Sequence, residues 1–234
     1  MLFFVLGIVF KQESLIVYVD GLGTIHSLYN VYASDDRIRV DKFIKFKADT
    51  GVSPLMARFI EGSKTEMYDL VNGKALFINH DDSTYREVSI DEMYDIEENF
   101  RETDEEVFKN VSFRRDSCYH IHASGNGDSL NIFICTQPSD GGIYSKLKSV
   151  YGKLYKLMKW DMPIHIPTTK FINFAVFRST KLIKALKKVK GFPHQYSLDY
   201  YKGDRLMFSI HSRILKLEEV DSVSFSIPEG YKRR

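Results

Sequence analysis

The chain has 234 residues, 44% apolar and 27% charged, which fits a globular protein with one large core or two ordinary ones and excludes a disordered or fibrous chain. No apolar run reaches the roughly 18 residues a membrane helix needs, so none is expected, and the short opening MLFFVLGIVF lacks the basic leader and small-residue cleavage site of a signal peptide. The net charge of +2 conceals an asymmetry: residues 1–110 carry 12 Lys+Arg against 21 Asp+Glu, and residues 111–234 carry 21 against 10. An acidic half and a basic half can attract one another within a chain or between chains.

In chain order, strand signals dominate. Period-two alternation between turn residues predicts four hairpins. GIVFKQESLIVYVD (7–20) would turn at Gln12-Glu13, TEMYDLVNGKALFINH (65–80) at Asn72-Gly73, CYHIHASGNGDSLNIFIC (118–135) at Asn126-Gly127, and YSLDYYKGDRLMFSIH (196–211) at Gly203-Asp204. Short helices are expected before three of them. The first opens at Ser53-Pro54 and ends at Gly62. The second is TDEEVFKN (103–110), with Thr103 and Glu106 as a capping box. The third runs from Ser179 to Gly191. The segment IYSKLKSVYGKLYKLMKW (143–160) has Ile143, Leu147, Val150, Leu154, Leu157 and Met158 at helical spacing.

Two pentapeptides suggest that the chain repeats itself. KFIKF (42–46) precedes the first helix and the Asn72-Gly73 hairpin, and KFINF (170–174) precedes the third helix and the Gly203 hairpin. Strand, helix and hairpin recur in the same order, a long-period duplication that describes the chain as four units in two pairs. The acidic stretch DEMYDIEENFRET (91–103) is where the pairs would join. The tail IPEGYKRR is basic and is expected to be mobile.

A helix followed by strands, repeated four times as two pairs, resembles the sliding-clamp family of DNA polymerase processivity factors, the two-domain tailed-phage type most of all. The resemblance is carried by GIVFKQESLIVYVDGLGTIHSLYNVY at the first hairpin and KFINFAVFRSTKLIKALKKV at the last strand-to-helix passage. It implies an α+β fold of two similar domains, 1–97 and 98–234, each with antiparallel sheets outside and short helices on the inner face. The first helix would be missing or cut to MLFFVL, and 143–160 departs from the family by being helical where strands are expected. By resemblance the protein would be a non-enzymatic viral or phage replication factor needing no cofactor or metal. It would encircle double-stranded DNA without sequence preference, engage a polymerase and a clamp loader, and close as a homotrimer without touching membrane. It would act inside the cell, in the host cytoplasm.

The residues themselves offer a grip. On the helix after Ser179, Leu182, Ile183, Leu186 and Val189 share an apolar face. Lys181, Lys184 and Lys188 lie opposite with Lys187 beside them, and no acid interrupts them. Cations without base-reading partners suit loose contact with phosphates, although most lysine stripes are simply solvated faces. Arg58 on the first helix, Lys109 on the second, and Arg114 and Arg115 after it complete the candidate DNA-binding set. Lys146, Lys148, Lys153, Lys156 and Lys159 form a further basic series.

Other classes are weighed against this. A turn at Asn126-Gly127 places Cys118 across from Cys135 with His120 and His122 on the same strand face. A flat face seldom converges four ligands on zinc. Two cysteines make no disulfide framework, and a reducing, intracellular setting is the default. A phosphodiesterase or nuclease centred on the 118–135 hairpin is the alternative. HIHAS has one His-x-Ser element, similar to those paired in two-histidine phosphoesterases, but a second is absent. GGIYSKLKSVYG is similar to the start of GIY-YIG nucleases, with too short a spacing. A non-enzymatic viral structural or adaptor protein is the third reading.

Overall fold

A computed structural model describes residues 7–18, 23–49, 61–92, 108–138, 142–158, 179–220 and 223–234. Its strands are β1 (Gly7–Tyr18), β2 (Gly23–Ala33), β3 (Arg37–Ala48), β4 (Gly62–Asp69), β5 (Lys74–Asn79), β6 (Thr84–Ser89), β7 (Asn110–Arg115), β8 (Tyr119–Gly125), β9 (Asp128–Gln137), β10 (Phe192–Lys202), β11 (Arg205–Val220) and β12 (Lys232–Arg233). Two helices are described, α1 (Gly142–Leu157) and α2 (Thr180–Leu186). The α+β class expected from the sequence stands.

All 12 described strands belong to one sheet, ordered β12-β6-β5-β4-β3-β2-β1-β11-β10-β9-β8-β7. Two meanders, β1–β6 and β7–β11, are joined where β1 pairs antiparallel with β11, from Gly7↔Val220 to Tyr18↔Phe208. In both meanders the third strand pairs directly with the fourth across an intervening segment, β3 with β4 and β9 with β10. In the second meander that segment carries both described helices.

Three of the four predicted hairpins form, at Asn72-Gly73, Asn126-Gly127 and Gly203-Asp204. The first does not turn at Gln12-Glu13. β1 runs straight through, and β2 is its hairpin partner. Gln and Glu are poor turn residues, and the alternation Ile8, Phe10, Gln12, Ser14, Ile16 continues unbroken along one buried face. The irregularity falls in β11, where Leu215 bulges between Lys216↔Lys11 and Ile214↔Gln12.

One register row shows which face is the core. Phe46, Ile25, Ile16, Ile210, Leu198, Ile132, Ile121 and Phe113 lie opposite one another from β3 to β7. Leu182, Ala185 and Leu186 of α2 pack on this row. Ile8 and Phe10, on the same face of β1, instead meet Leu147, Val150, Tyr151 and Leu154 of α1. Both helices therefore cover one face of the sheet. Each buried Ile, Leu or Phe contributes about 1.5–3 kcal/mol. A polar seam divides the two clusters. Gln12, Ser14, Ser27 and Ser212 are buried there, and Gln12 donates to Ser212 Oγ at 2.7 Å. Lys42 and Glu66 pair at 2.6 Å in the same band, and Tyr68 donates to Glu66.

The opposite face is treated differently in its two halves. Over β1–β6 the C-terminal segment lies across the strands. Val223, Phe225 and Ile227 are partly buried while Ser224 and Ser226 are exposed. Beneath lie Thr65, Met67 and Ile78, all buried. The tail expected to be mobile is thus anchored: β12 pairs parallel with β6, and Arg234 binds Asp82 at 2.5 Å. An alternating apolar pattern gives it a face to bury, which its basic composition hides.

The helix expected over 103–110 does not reach its end, because Asn110 begins β7 and residues 103–107 lie outside the described set. Val111 and Phe113 alternate with Ser112 and Arg114, and pairing with β8 wins over the local helical signal. The Ser53 helix and KFINF also lie outside the described residues, and Gly62 is the first residue of β4.

Gly191 leads α2 back to the sheet at φ +93, where a Cβ would stand 2.4 Å from the carbonyl oxygen of Gln137. Gly191→Ala is therefore expected to lower stability by about 2 kcal/mol or more in urea unfolding. Gly203→Ala, at φ +59 with open space around it, should cost only about 1 kcal/mol. Equal losses would contradict this placement of the chain.

Candidate nucleic-acid interface

α2 starts where Ser179 caps it: the backbone N–H of Leu182 donates to Ser179 Oγ at 3.3 Å. Ser179 is fully buried, and its hydroxyl donates to the carbonyl of Phe108 at 2.9 Å, fastening the helix start beside β7. Leu182, Leu186 and Val189 are buried as the periodicity requires, with Ala185 in place of Ile183 as the fourth buried residue. The helix stops at Leu186 with Lys187 as its C-cap, five residues short of the expected Gly191.

The lysine stripe is exposed along its length: Lys181, Lys184, Lys187, Lys188 and also Lys190. From Thr180 to Lys190 there are five lysines and no Asp or Glu. Contacts steady Lys181 and Lys188. Lys181 Nζ donates to the carbonyl of Lys109 at 2.6 Å, and Lys188 Nζ sits 5.4 Å from the centre of the Phe113 ring. The Arg115 guanidinium stands 5.1 Å over the Tyr119 ring, on the same sheet face. Lys109, Arg115 and the α2 lysines are thus gathered at one end of the helix-bearing face. Phe113 and Tyr119, which steady Lys188 and Arg115, were legible only once 110–115 is read as a strand.

Arg114 is placed elsewhere. It lies opposite His120 on β8 and points to the other face of the sheet, 3.5 Å from Asp116. Asp116 is held below the ordinary carboxylate range, chiefly by the backbone N–H of Cys118 and then by His120 and Arg114. Arg58 lies outside the described residues. In the second basic series, Lys146 pairs with Glu219 at 2.7 Å and Lys153 Nζ donates to the carbonyl of Asp35, so both help tie α1 to the sheet.

The histidine hairpin lies on the face away from the helices. There Lys45, His26, Leu15, His211, Ser197, Phe133, His120 and Arg114 form a second row across eight strands. Two shallow depressions of about 610 and 400 Å3 open along it. His122 Nδ1 meets Asn131 Oδ1 at 2.7 Å, and His120 Nε2 meets Asp116 at 3.3 Å. Ser209 donates to Asp199 and lies 3.0 Å from His211 Nε2. The carboxylate is on the serine rather than on the other nitrogen of the histidine, so it does not orient a base toward a nucleophile. No group of three or more metal-binding side chains converges among the described residues.

Cys118 and Cys135 are joined in a disulfide, their Cα atoms 4.4 Å apart. The sequence places them opposite one another, and the structure shows that the position suits a bond. This takes both sulfurs out of any zinc site and runs against the reducing setting taken as the default. Among the described residues no helix is long and apolar enough to cross a membrane.

No protein-family model matches the chain, and no curated protein does.

A thiol titration of the unfolded, unreduced protein should find no free thiol, and after reduction two. Reduction should lower stability by at most about 3 kcal/mol, because the loop closed spans only 17 residues of separation and its strands are already paired. Two free thiols before reduction would contradict the bond.

Proposed function

We propose that the protein is a sliding-clamp-like processivity factor that holds duplex DNA loosely through its helix-bearing face and tethers a DNA polymerase. The observation that carries this reading is the exposed, acid-free lysine stripe of α2, on the face that both helices cover, with Lys109 and Arg115 beside it. Lysines without base-reading side chains give attraction to phosphates without sequence selection. The fold suits such a part: one broad sheet, antiparallel except at β12, with the described helices on a single face, built from two meanders of the same strand order. By the clamp resemblance, two domains of similar plan divide the chain at 97/98, three copies close a ring, and a clamp loader places it on DNA.

Lys184→Glu with Lys187→Glu tests the grip and leaves the contacts of Lys181 and Lys188 intact. Duplex-DNA affinity should fall, and its dependence on salt should flatten by about two in log–log slope. Arg114→Glu, on the other face, should leave both unchanged. Equal effects from the two faces would overturn the assignment. Sedimentation tests the ring: a trimer is expected, and a monomer at high chain concentration would contradict closure.

A further inference from the structure

The C-terminal segment is a ligand for its own chain. It leaves the sheet at β11, crosses six strands from β1 to β6 and ends on the β6 edge. Five strand spacings are about 24 Å, and ten extended residues span about 33 Å, so residues 223–232 suffice for the crossing. Its holds are specific. The Ser224 carbonyl accepts from Arg39 Nη1 at 3.0 Å, and Phe225 lies under the Arg37 guanidinium. A turn at Glu229-Gly230 then sets the Tyr231 hydroxyl 2.8 Å from His80 Nδ1. His80 Nε2 is bonded in turn to Thr65, and Thr65 donates to Asp41 at 2.7 Å. Finally Lys232 N donates to the Ser83 carbonyl, Arg234 N to the Tyr85 carbonyl, and the Arg233 and Arg234 side chains meet Glu87 and Asp82.

Each contact named for residues 223–234 is made with the first meander, where Thr65 and Asp41 back His80. A basic end of the positive half sits on an acidic edge of the negative half. None of the bonds needs the two partners to be in one chain. We propose that the seat formed by His80, Asp82, Glu87 and the β6 edge also takes the C-terminal segment of a second copy of this chain, so that neighbouring copies are tied by exchanged tails. The bonds are the same in either arrangement. The intramolecular form is favoured only by the local concentration of the tail, which is in the millimolar range for a short tether. Weakening the tail's hold on its own seat should therefore release it to a neighbour. The proposal stands apart from the DNA reading.

Two full-length variants test it. One reverses the seat (Asp82→Lys with Glu87→Lys), and the other reverses the tail (Arg233→Glu with Arg234→Glu). Within each, tail and seat repel. Mixed, each tail meets a seat of opposite charge in the other chain. Sedimentation of the mixture should show a heterotypic complex beyond any association of either variant alone, and adding Tyr231→Ala to both should weaken it about ten-fold. All four changes in one chain should restore the closed form and abolish the extra association. A mixture that sediments as the sum of its parts would overturn the proposal, as would an extra complex that survives when all four changes share a chain. If either variant fails to fold, a labelled peptide of residues 223–234 replaces the mixture. It should bind the full chain carrying Tyr231→Ala and Arg234→Glu at least ten-fold more tightly than the unaltered chain, and equal binding would overturn the proposal.

Discussion

The pairing of β1 with β11 is the constraint on which the rest depends. It brings Gly7–Tyr18 alongside Phe208–Val220 and converts two meanders into one sheet. Without it, the register rows that carry the core would stop at two new edges. The buried face of β1 contributes Ile8 and Phe10 to one cluster and Ile16 to the other, so this strand is a shared wall. Such contacts are among the longest-range in the chain, and they are expected to form late in folding.

From that sheet follow two unlike faces. One is covered by α1 and α2, whose apolar sides fill the clusters and whose outer sides carry lysines. Between the clusters the seam of Gln12, Ser212, Lys42 and Glu66 keeps the halves distinct: Gln12 Nε2 donates to Ser212 and Lys42 pairs with Glu66, while Gln12 Oε1 is buried without a partner among the described residues. The other face is strapped over the first meander by the C-terminal segment, and over the second it presents His120, Phe133 and His211. The charge asymmetry of the sequence acquires a physical use here: the basic tail rests on the acidic meander.

Much of this was legible in the sequence where the signal is local. Asn72-Gly73 and Asn126-Gly127 name their own turns, and Ser179 with the periodicity of Leu182, Leu186 and Val189 defines α2. The helical spacing of 143–157 also held against the clamp resemblance, which called for strands there. What failed depended on partners far away. β1 reads as a hairpin only if β11 is ignored, and 108–110 reads as a helix end only if β8 is ignored. Arg114 and Arg115 read as neighbours in one site because the sequence alone does not fix their direction, and the alternation of the strand sends them to opposite faces. The strap was hidden because its apolar residues are spaced by serines in a segment of low hydrophobicity.

The proposed function rests on contact between the α2 face and DNA. Lysine-modification footprinting with and without duplex DNA tests it most directly. Lys184 and Lys187 on α2 should be protected, whereas Lys45, in the row on the opposite face, should react equally in both conditions. Protection of Lys45 with Lys184 and Lys187 unchanged would contradict it.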